Sequence, residues 1–325
     1  MDSNQPPSQP QGSDKEWKLI EKLLGQAQAE QRKSRRWGIF FKTLTFVYLF
    51  VVLFMLIPGR DGALAVSEPH VAVVDVDGVI SADSEASADL ISAGLREAFE
   101  ADNAKAVLLR INSPGGSPVQ SNQVYNEIRW LREKHPEKKV YAAITDTGAS
   151  GAYYIASAAD DIYADPASIV GSIGVIMAGF GLQEAAEKLG VERRVYTAGE
   201  NKDLMDPFAP VNPAHRRHVQ EMLDEIHQQF IAAVKQGRGD RLKVDGHPEL
   251  FSGLFWTGER ALDLGLIDGL KSPGQVARDV IGLDKLVNYT YSPSPVEQLL
   301  QRFGVSIGKG LGSSLGLEQY VPDLR

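Results

Sequence analysis

The sequence has no cysteine among its 325 residues. Disulfide bonds, thiolate-rich metal sites and catalysis by a cysteine nucleophile are therefore excluded. Basic residues are also in the minority, with 34 Lys and Arg against 42 Asp and Glu, which gives a formal net charge of −8. Because no long basic stripe interrupts the main body of the chain, nucleic acid is not expected as a partner.

One segment, residues 37–57, is apolar throughout except for Lys42. No charged residue occurs from Thr43 to Gly59, and a helix rising about 1.5 Å per residue would carry this stretch across most of a ~30 Å hydrocarbon core. A buried core helix is the other interpretation, but such a helix rarely lacks a polar face. The sequence therefore predicts a transmembrane helix over residues 37–58.

The charges on either side of this segment predict its orientation. The stretch "RKSRRW" at 32–37 precedes it, and the stretch that follows carries Asp61, Glu68, Asp75 and Asp77. Because positive residues stay in the cytoplasm, residues 1–36 are expected there and residues 67–290 outside it. A cleavable signal peptide is the alternative, since "ALA" at 63–65 suits a signal peptidase, although a leader of more than thirty residues before the apolar run is unusually long. Cleavage after Ala65 is left open.

Strand-like and helix-like patterns alternate through the remaining chain. This rhythm predicts an α/β core with largely parallel strands. The stretch before the apolar segment is either a short amphipathic helix or a mere spacer, and residues 291–325 are expected to form a C-terminal tail outside the core. The strand candidates are 70–80, 104–112, 138–145, 161–165 and 167–176, with 191–198 extended. The helical candidates are the stretch through Leu90, Leu95 and Phe99, then 123–135, the run after Ser150, 182–190 and 215–235.

Two glycine-rich turns follow hydrophobic strands, "RINSPGGSP" at 110–118 and "TDTGASGAYY" at 145–154. Loops at the carboxyl ends of strands are where α/β enzymes place their sites. Paired glycines let a backbone approach a ligand and aim N–H groups at an oxyanion, and the N–H of Gly151 could be a second donor. Ser150 is then either a nucleophile or the N-cap of a buried helix. Ordinary loop chemistry also explains either turn alone.

A nucleophilic serine needs a base, and histidine is the usual one. The chain has six histidines, but none lies in an evident strand-end loop beside a carboxylate, and "GASGA" lacks the G-x-S-x-G pattern of hydrolases with a Ser-His-acid triad. A lysine can replace histidine if its amine is neutral, which requires burial that lowers its pKa. From the residues, a lysine is therefore one candidate for the base.

Four motifs in order, "INSPGG", "TGASGAYYIASAAD", "VGSIGV" and "GENKDLMDPF", closely resemble the signal peptide peptidase A family over about residues 71–283. "INSPGG" alone would be weaker, because the Clp protease subunit has a similar string. The resemblance implies a membrane-anchored serine protease with a Ser/Lys dyad, in which Ser150 is the nucleophile and Lys202 the general base. It assigns Ser172 to holding the lysine amine by a hydrogen bond.

The same resemblance implies a Clp/crotonase-like spiral of repeated strand-strand-helix units, preceded by one transmembrane helix. The oxyanion would be bound by the N–H groups of Gly116 and Gly151, with Gly115 in the supporting loop, and no metal or organic cofactor is needed. Members with a single catalytic domain form homo-oligomeric rings, so an octamer is expected, with the serine and the lysine paired either within one chain or between neighbouring chains.

The expected function is degradation of signal peptides left after secretion and of other short or unfolded peptides. The expected location is the bacterial inner membrane, crossed once through residues 37–58, with the catalytic domain periplasmic or otherwise extracytoplasmic. Three alternatives remain: a related membrane-anchored protease that cleaves membrane-protein partners, an acyl-CoA-binding enzyme of the crotonase branch, and a noncatalytic scaffold on the same fold.

Overall fold

The computed structural model describes residues 14–56 and 67–292. Contacts divide the chain into two units, and these two described ranges fall in different ones. The first range is a single helix, α1 (Asp14–Leu56), of 43 residues. It joins the predicted amphipathic helix to most of the predicted membrane span, because no proline interrupts the sequence between these limits.

The prediction of a membrane span over residues 37–58 is only partly covered by the described residues, since α1 ends at Leu56. Within the described part of the chain, no helix is both long enough and apolar enough to cross a bilayer. Most of the predicted tail, residues 293–325, also lies outside the described residues.

The second unit alternates strands with helices. Its strands are β1 (His70–Asp77), β2 (Ala104–Ser113), β3 (Val140–Ala149), β4 (Asp161–Ala164), β5 (Ile169–Gly171), β6 (Phe255–Thr257), β7 (Gly269–Leu270) and β8 (Leu286–Asn288). Its α-helices are α2 (Ala88–Glu100), α3 (Pro118–Lys134), α4 (Gly151–Ala156), α5 (Gln183–Lys188), α6 (Pro213–Arg238), α7 (Gly258–Asp263) and α8 (Pro273–Gln275). A π-helical turn, Val276–Ile281, continues α8, and two 3-10 turns occupy Gly239–Arg241 and Pro248–Phe251.

The sheet has the strand order β6-β5-β3-β2-β1-β8. Every pair along it is parallel except β5 with β6, and β4 pairs in parallel with both β3 and β7. Strand β3 therefore has two partners on one side: its residues 141–144 pair with β4, and its residues 147–149 pair with β5. The predicted α/β class is confirmed.

Both faces of the sheet are covered, as a parallel sheet requires. Along β1, Ala72 and Val74 belong to the main core, which the helices α2, α3, α4 and α6 complete. Val71 and Val73 point to the other face and pack with Val276 of the π-helical turn in a smaller cluster. This double burial explains why the strands read as nearly continuous apolar runs.

One predicted strand is shorter in the structure than expected, and one segment expected to be extended forms no strand. The strand expected over 167–176 ends at Gly171, because Ser172 adopts a φ of 54° and turns the chain out of the sheet. Residues 191–198 form no strand in the structure. Residues 191–198 belong to a segment, residues 174–212, that we call the arm, and the arm contributes no strand to the sheet among the described residues.

Candidate functional site

Ser150 lies between the end of β3 and the first residue of α4. Its backbone has φ 54° and ψ −125°, a left-handed conformation that costs a non-glycine residue about 1–3 kcal/mol unless the surroundings enforce it. Its N–H donates to the carbonyl oxygen of Gly171 at 2.8 Å, and its carbonyl accepts from Tyr154 N at 3.0 Å. Ser150 occupies the N-cap position, but its side chain makes no capping hydrogen bond. The hydroxyl is therefore held on a turn and left available.

Gly115 and Gly116 occupy places where no side chain fits. A Cβ at Gly115 would lie 2.6 Å from Gly151 N and 2.7 Å from Ser150 Cβ, and one at Gly116 would lie 2.1 Å from the carbonyl oxygen of Ile80. Contacts of this length essentially do not occur for real Cβ atoms. The turn after β2 is thus pressed against the turn that carries Ser150.

Hydrogen bonds in the turn after β2 leave one N–H group unused. Pro114 has none, Gly115 N donates to Ser113 Oγ at 3.1 Å, and Ser117 N donates to the carbonyl oxygen of Ile80 at 2.8 Å. The N–H of Gly116 has no acceptor among the described residues. It is therefore free to bind an incoming oxygen.

The N–H of Gly151 is also without an acceptor in the described part of the chain. As the first residue of α4 it has no partner within the helix. A Cβ placed on Gly151 would lie 3.3 Å from Gly116 N, so the two free amides are close neighbours beside Ser150. Two neighbouring N–H groups without acceptors next to a serine have the composition of an oxyanion hole.

Ser172 lies beside Ser150 for a reason of register. Ala149 of β3 pairs with Gly171 of β5, so each serine is the next residue after a paired position on neighbouring parallel strands. Ser172 also has a φ of 54°, and its N–H donates to the carbonyl oxygen of Leu254 at 2.8 Å. Its hydroxyl makes no hydrogen bond to any described residue.

Lys202 lies in a turn of the arm and is exposed. Its N–H donates to the carbonyl oxygen of Gly199 at 3.2 Å, and its Cγ would lie 3.0 Å from a Cβ on that glycine. No hydrogen bond or ion pair joins Lys202 to Ser150 or Ser172 among the described residues. The burial that a neutral lysine requires is thus not present around Lys202 in the single chain.

Helix α4 is fixed to the core through Tyr153. This buried side chain donates to the carbonyl oxygen of Leu266 at 2.7 Å, and burial raises the pKa of Tyr153, so the phenol remains a neutral donor. Gly237 of α6 passes so near that a Cβ there would lie 1.8 Å from the carbonyl oxygen of Ser157, at the end of α4. The helix that begins at Ser150 is therefore clamped at its far end.

Two buried serines near the site were missed by the sequence reasoning. Ser113 accepts the N–H of Gly115, and Ser121 of α3 has its Oγ 2.3 Å from a Cβ built on Gly151. Ser113 belongs to the "INSPGG" motif, which could have identified it, whereas nothing in the spacing of Ser121 indicates this contact. Both are fully buried and shape the two turns.

The described residues include no histidine bonded to Ser150 and no cluster of metal ligands. None of the six histidines hydrogen-bonds to Ser150, and no group of three or more His, Asp or Glu among the described residues could hold a metal ion. His227 reaches the segment after β5, where it contacts the carbonyl oxygen of Ile173 at 3.1 Å.

The arm carries large apolar side chains that the single chain leaves uncovered. Ile176 and Phe180 are each 86% exposed, and Tyr196 is 92% exposed. A groove of about 370 Å³ lies between the arm and the start of α6, with Met177, Phe180 and Val211 in its wall. Contiguous exposed apolar surface is typical of interaction sites.

Comparison with known proteins identifies relatives. The model of peptidase family S49 matches residues 132–286. A Methanocaldococcus jannaschii protein that bears the name of a protease is 32% identical over 229 residues, which cover 67% of this chain and 71% of that protein. The chloroplast serine protease SPPA of Arabidopsis thaliana is 31% identical over 274 residues, which cover 82% of this chain and 39% of that protein.

Another relative bears a different name. A Brucella abortus protein called Na(+)/H(+) antiporter NhaA is 45% identical over 263 residues, which cover 79% of this chain. The match covers 34% of that protein, so this chain spans about a third of its length. The similarity therefore concerns one part of a longer protein.

Proposed function

This chain belongs to peptidase family S49, and on that premise we propose that it is a serine endopeptidase in which Ser150 attacks the peptide carbonyl. The observation that carries the proposal is the arrangement around Ser150. The serine is held at a positive φ, its hydroxyl is unbonded, and the N–H groups of Gly116 and Gly151 beside it have no acceptor among the described residues. Nucleophile and oxyanion donors are thus prepared together.

In the proposed cycle, neutral Lys202 takes the hydroxyl proton of Ser150 as Ser150 Oγ attacks the carbonyl carbon. The carbonyl oxygen becomes an oxyanion held by the N–H groups of Gly116 and Gly151. The C–N bond then breaks as Lys202 returns the proton to the leaving amine. Water then attacks the acyl carbonyl carbon as Lys202 takes its proton, and the acyl C–O bond breaks as Lys202 returns that proton to Ser150 Oγ. Ser172 Oγ accepts a hydrogen bond from Lys202 Nζ and directs the amine's lone pair towards Ser150.

We propose that Lys202 reaches this site from a neighbouring copy of the chain. Lys202 is exposed in the single chain, its side chain makes no hydrogen bond or ion pair with a described residue, and the arm that carries it presents uncovered apolar side chains. Packing of the arms of neighbouring copies against one another would bury Lys202 and these apolar side chains. This burial would supply the desolvation that a neutral lysine needs. A homo-oligomeric ring, an octamer by family resemblance, closes such head-to-tail contacts.

Mixing two inactive variants tests this pairing. Ser150→Ala and Lys202→Ala chains, assembled at random from equal amounts, would recover about a quarter of wild-type activity if each site takes its serine and its lysine from different copies. Pairing within one chain predicts no recovery. Each variant assembled alone is the control, and the wild-type oligomer defines full activity.

Membrane attachment through residues 37–58 is a further part of the proposal and is supported by the sequence alone. The uncharged run from Thr43 to Gly59 is its basis, and the catalytic unit would then face outward from the cytoplasm as the flanking charges predict. Signal peptides left in the bilayer and other unfolded peptides are the proposed substrates. Recovery of the full chain in the salt-washed membrane fraction, against a 67–325 chain as control, tests the anchor.

Covalent labelling tests the enzyme class directly. A fluorophosphonate probe should modify the wild-type chain on Ser150, and Ser150→Ala should remain unlabelled. Labelling that persists in Ser150→Ala would reject this nucleophile, and a correctly folded oligomer that is never labelled would favour the noncatalytic scaffold. Hydrolysis of signal peptides without cleavage of membrane proteins, or the reverse, would separate the two kinds of substrate.

A further inference from the structure

A histidine of α6 holds the segment that carries Ser172. His227 Nε2 lies 3.1 Å from the carbonyl oxygen of Ile173, the residue that follows Ser172. A carbonyl oxygen can only accept, so Nε2 carries the proton of this bond whether the imidazole is neutral or charged. Ile173 lies beyond the end of β5 and is fully buried, and the imidazole supplies the donor that the sheet does not.

Ser172 itself needs such support because its backbone is strained. A φ of 54° persists at a non-glycine residue only when the surrounding bonds enforce it. Two bonds do so here, since Ser172 N donates to the carbonyl oxygen of Leu254 at 2.8 Å and His227 holds the carbonyl of Ile173. The first bond is to Leu254, which directly precedes β6, and the second is from His227 of α6. Two different parts of the chain therefore hold the backbone around Ser172.

A second histidine of α6 holds the turn that carries Lys202. His215 Nε2 lies 3.1 Å from Asn201 Oδ1, and it lies 4.0 Å from Asp203 Oδ1. These two partners flank Lys202 in the sequence, and the imidazole is 85% buried, with 15% of its surface exposed. The lysine turn, otherwise exposed, is thus attached to the first part of α6.

The two attachments are far apart along the helix. His215 and His227 are separated by three and a third turns, which is about 18 Å at 1.5 Å per residue. One rigid element therefore sets the distance between the Ser172 segment and the Lys202 turn of each chain.

We propose that His227 and His215 are positioning residues, which hold Ser172 and Lys202 in the places where hydrolysis requires them without touching the substrate. The inference rests on the proposed function, because it presupposes that Ser172 and Lys202 act on Ser150. The inference gives a role in the site to His227 and His215, although neither imidazole transfers a proton in the proposed reaction.

The test measures kcat and KM of the full-length oligomer with a fluorogenic peptide. His227→Leu and His215→Leu should each lower kcat about 10- to 100-fold and leave KM within about threefold of wild type. His227→Gln and His215→Gln, whose amide nitrogen keeps a donor near the Nε2 position, should restore kcat to within about tenfold of wild type. His218→Leu is the matched control, because His218 is exposed on the same helix and should leave kcat unchanged.

If the His227→Leu variant does not fold, the His227→Asn variant still tests the role of His227. His227→Asn is as polar as His227→Gln but too short to reach the carbonyl of Ile173, so its kcat should stay low in an oligomer of wild-type thermal stability. Equal activity of the Asn and Gln variants would overturn the role of His227. A wild-type kcat for His227→Leu would overturn it as well.

Ser150→Ala, measured in parallel, separates this inference from the proposed function. If Ser150→Ala is inactive while His227→Leu keeps full kcat, the positioning role fails and the serine peptidase stands. If Ser150→Ala retains hydrolysis, the proposed nucleophile fails and the positioning role fails with it.

Discussion

Replacing Gly115 by alanine would test how the packing of the turn beside Ser150 affects activity, separately from its effect on the stability of the fold. The new Cβ would lie 2.6 Å from Gly151 N, 2.7 Å from Ser150 Cβ and 2.8 Å from the carbonyl oxygen of Ala149. All three neighbours belong to the strand-to-helix turn, and none is the end of a flexible side chain. An ordinary contact of about 3.5 Å therefore requires the two turns to separate by about 0.7–0.9 Å.

That displacement is large compared with the tolerance of a hydrogen bond. An oxyanion donor must lie about 2.7–3.1 Å from the oxygen, and loss of one donor typically lowers kcat by about 10²- to 10³-fold, or about 2.7–4 kcal/mol. We expect Gly115→Ala to lose activity in this range. The positive φ of 95° adds a folding cost of about 1–2 kcal/mol for alanine.

Gly282→Ala is the matched control for the folding cost. Gly282 has a φ of 81° and no atom within 4 Å of its Cβ position, so alanine there meets the backbone penalty without a clash. The assay compares kcat, the rate of fluorophosphonate labelling and the thermal unfolding midpoint of both variants. A kcat for Gly115→Ala within tenfold of that for Gly282→Ala would refute the proposed packing of the two turns.

Three further changes have definite expected outcomes. Ser172→Ala should lower kcat about 10- to 100-fold with little change in KM, and full activity at every pH would make the serine structural only. Lys202→Arg should abolish hydrolysis in a folded oligomer, since a guanidinium does not deprotonate. The activity of the wild-type chain should rise towards alkaline pH. An activity that stays constant from about pH 5 to 9 would contradict a lysine base. Lys138 donates to three carbonyl oxygens at the end of α2, so Lys138→Met should destabilise the fold by about 1–3 kcal/mol at neutral pH. Because burial lowers the pKa of Lys138, the unfolded chain binds more protons, and the stability advantage of wild type over Lys138→Met should grow as pH rises to about 10.4, which pH-dependent urea unfolding would measure.

Much of the sheet could be predicted because its strands are buried on both faces. Continuous apolar runs such as those of β1 and β2 leave little ambiguity between strand and loop. The glycine-rich turns were equally informative, since Gly115, Gly116 and Gly151 each occupy a place that a larger residue could not. The buried strands and the glycine turns depend on local sequence and on burial, and both can be read from the pattern of apolar residues and glycines.

The arm could not be predicted in the same way. Its apolar residues, such as Val191 and Val195, indicate an extended segment, yet they are exposed and pair with no strand in the single chain. The sequence pattern records that a side chain is apolar but not which surface covers it. For the same reason, the proposed role of Lys202 predicted that it is buried, but nothing in the sequence indicates that the single chain leaves it exposed.

The division of β3 between two partners has a consequence for how the molecule opens. Strand β5 is only three residues long and is joined to β3 through residues 147–149 alone. Its backbone bonds are therefore few, although it also pairs with the three-residue strand β6 and Gly171 accepts the N–H of Ser150. Short segments of this kind open with a smaller free energy than the whole core. The amides of β5 should exchange their hydrogens with solvent sooner than those of β1 or β2, and on warming the enzyme would lose its reactivity before it loses its secondary structure.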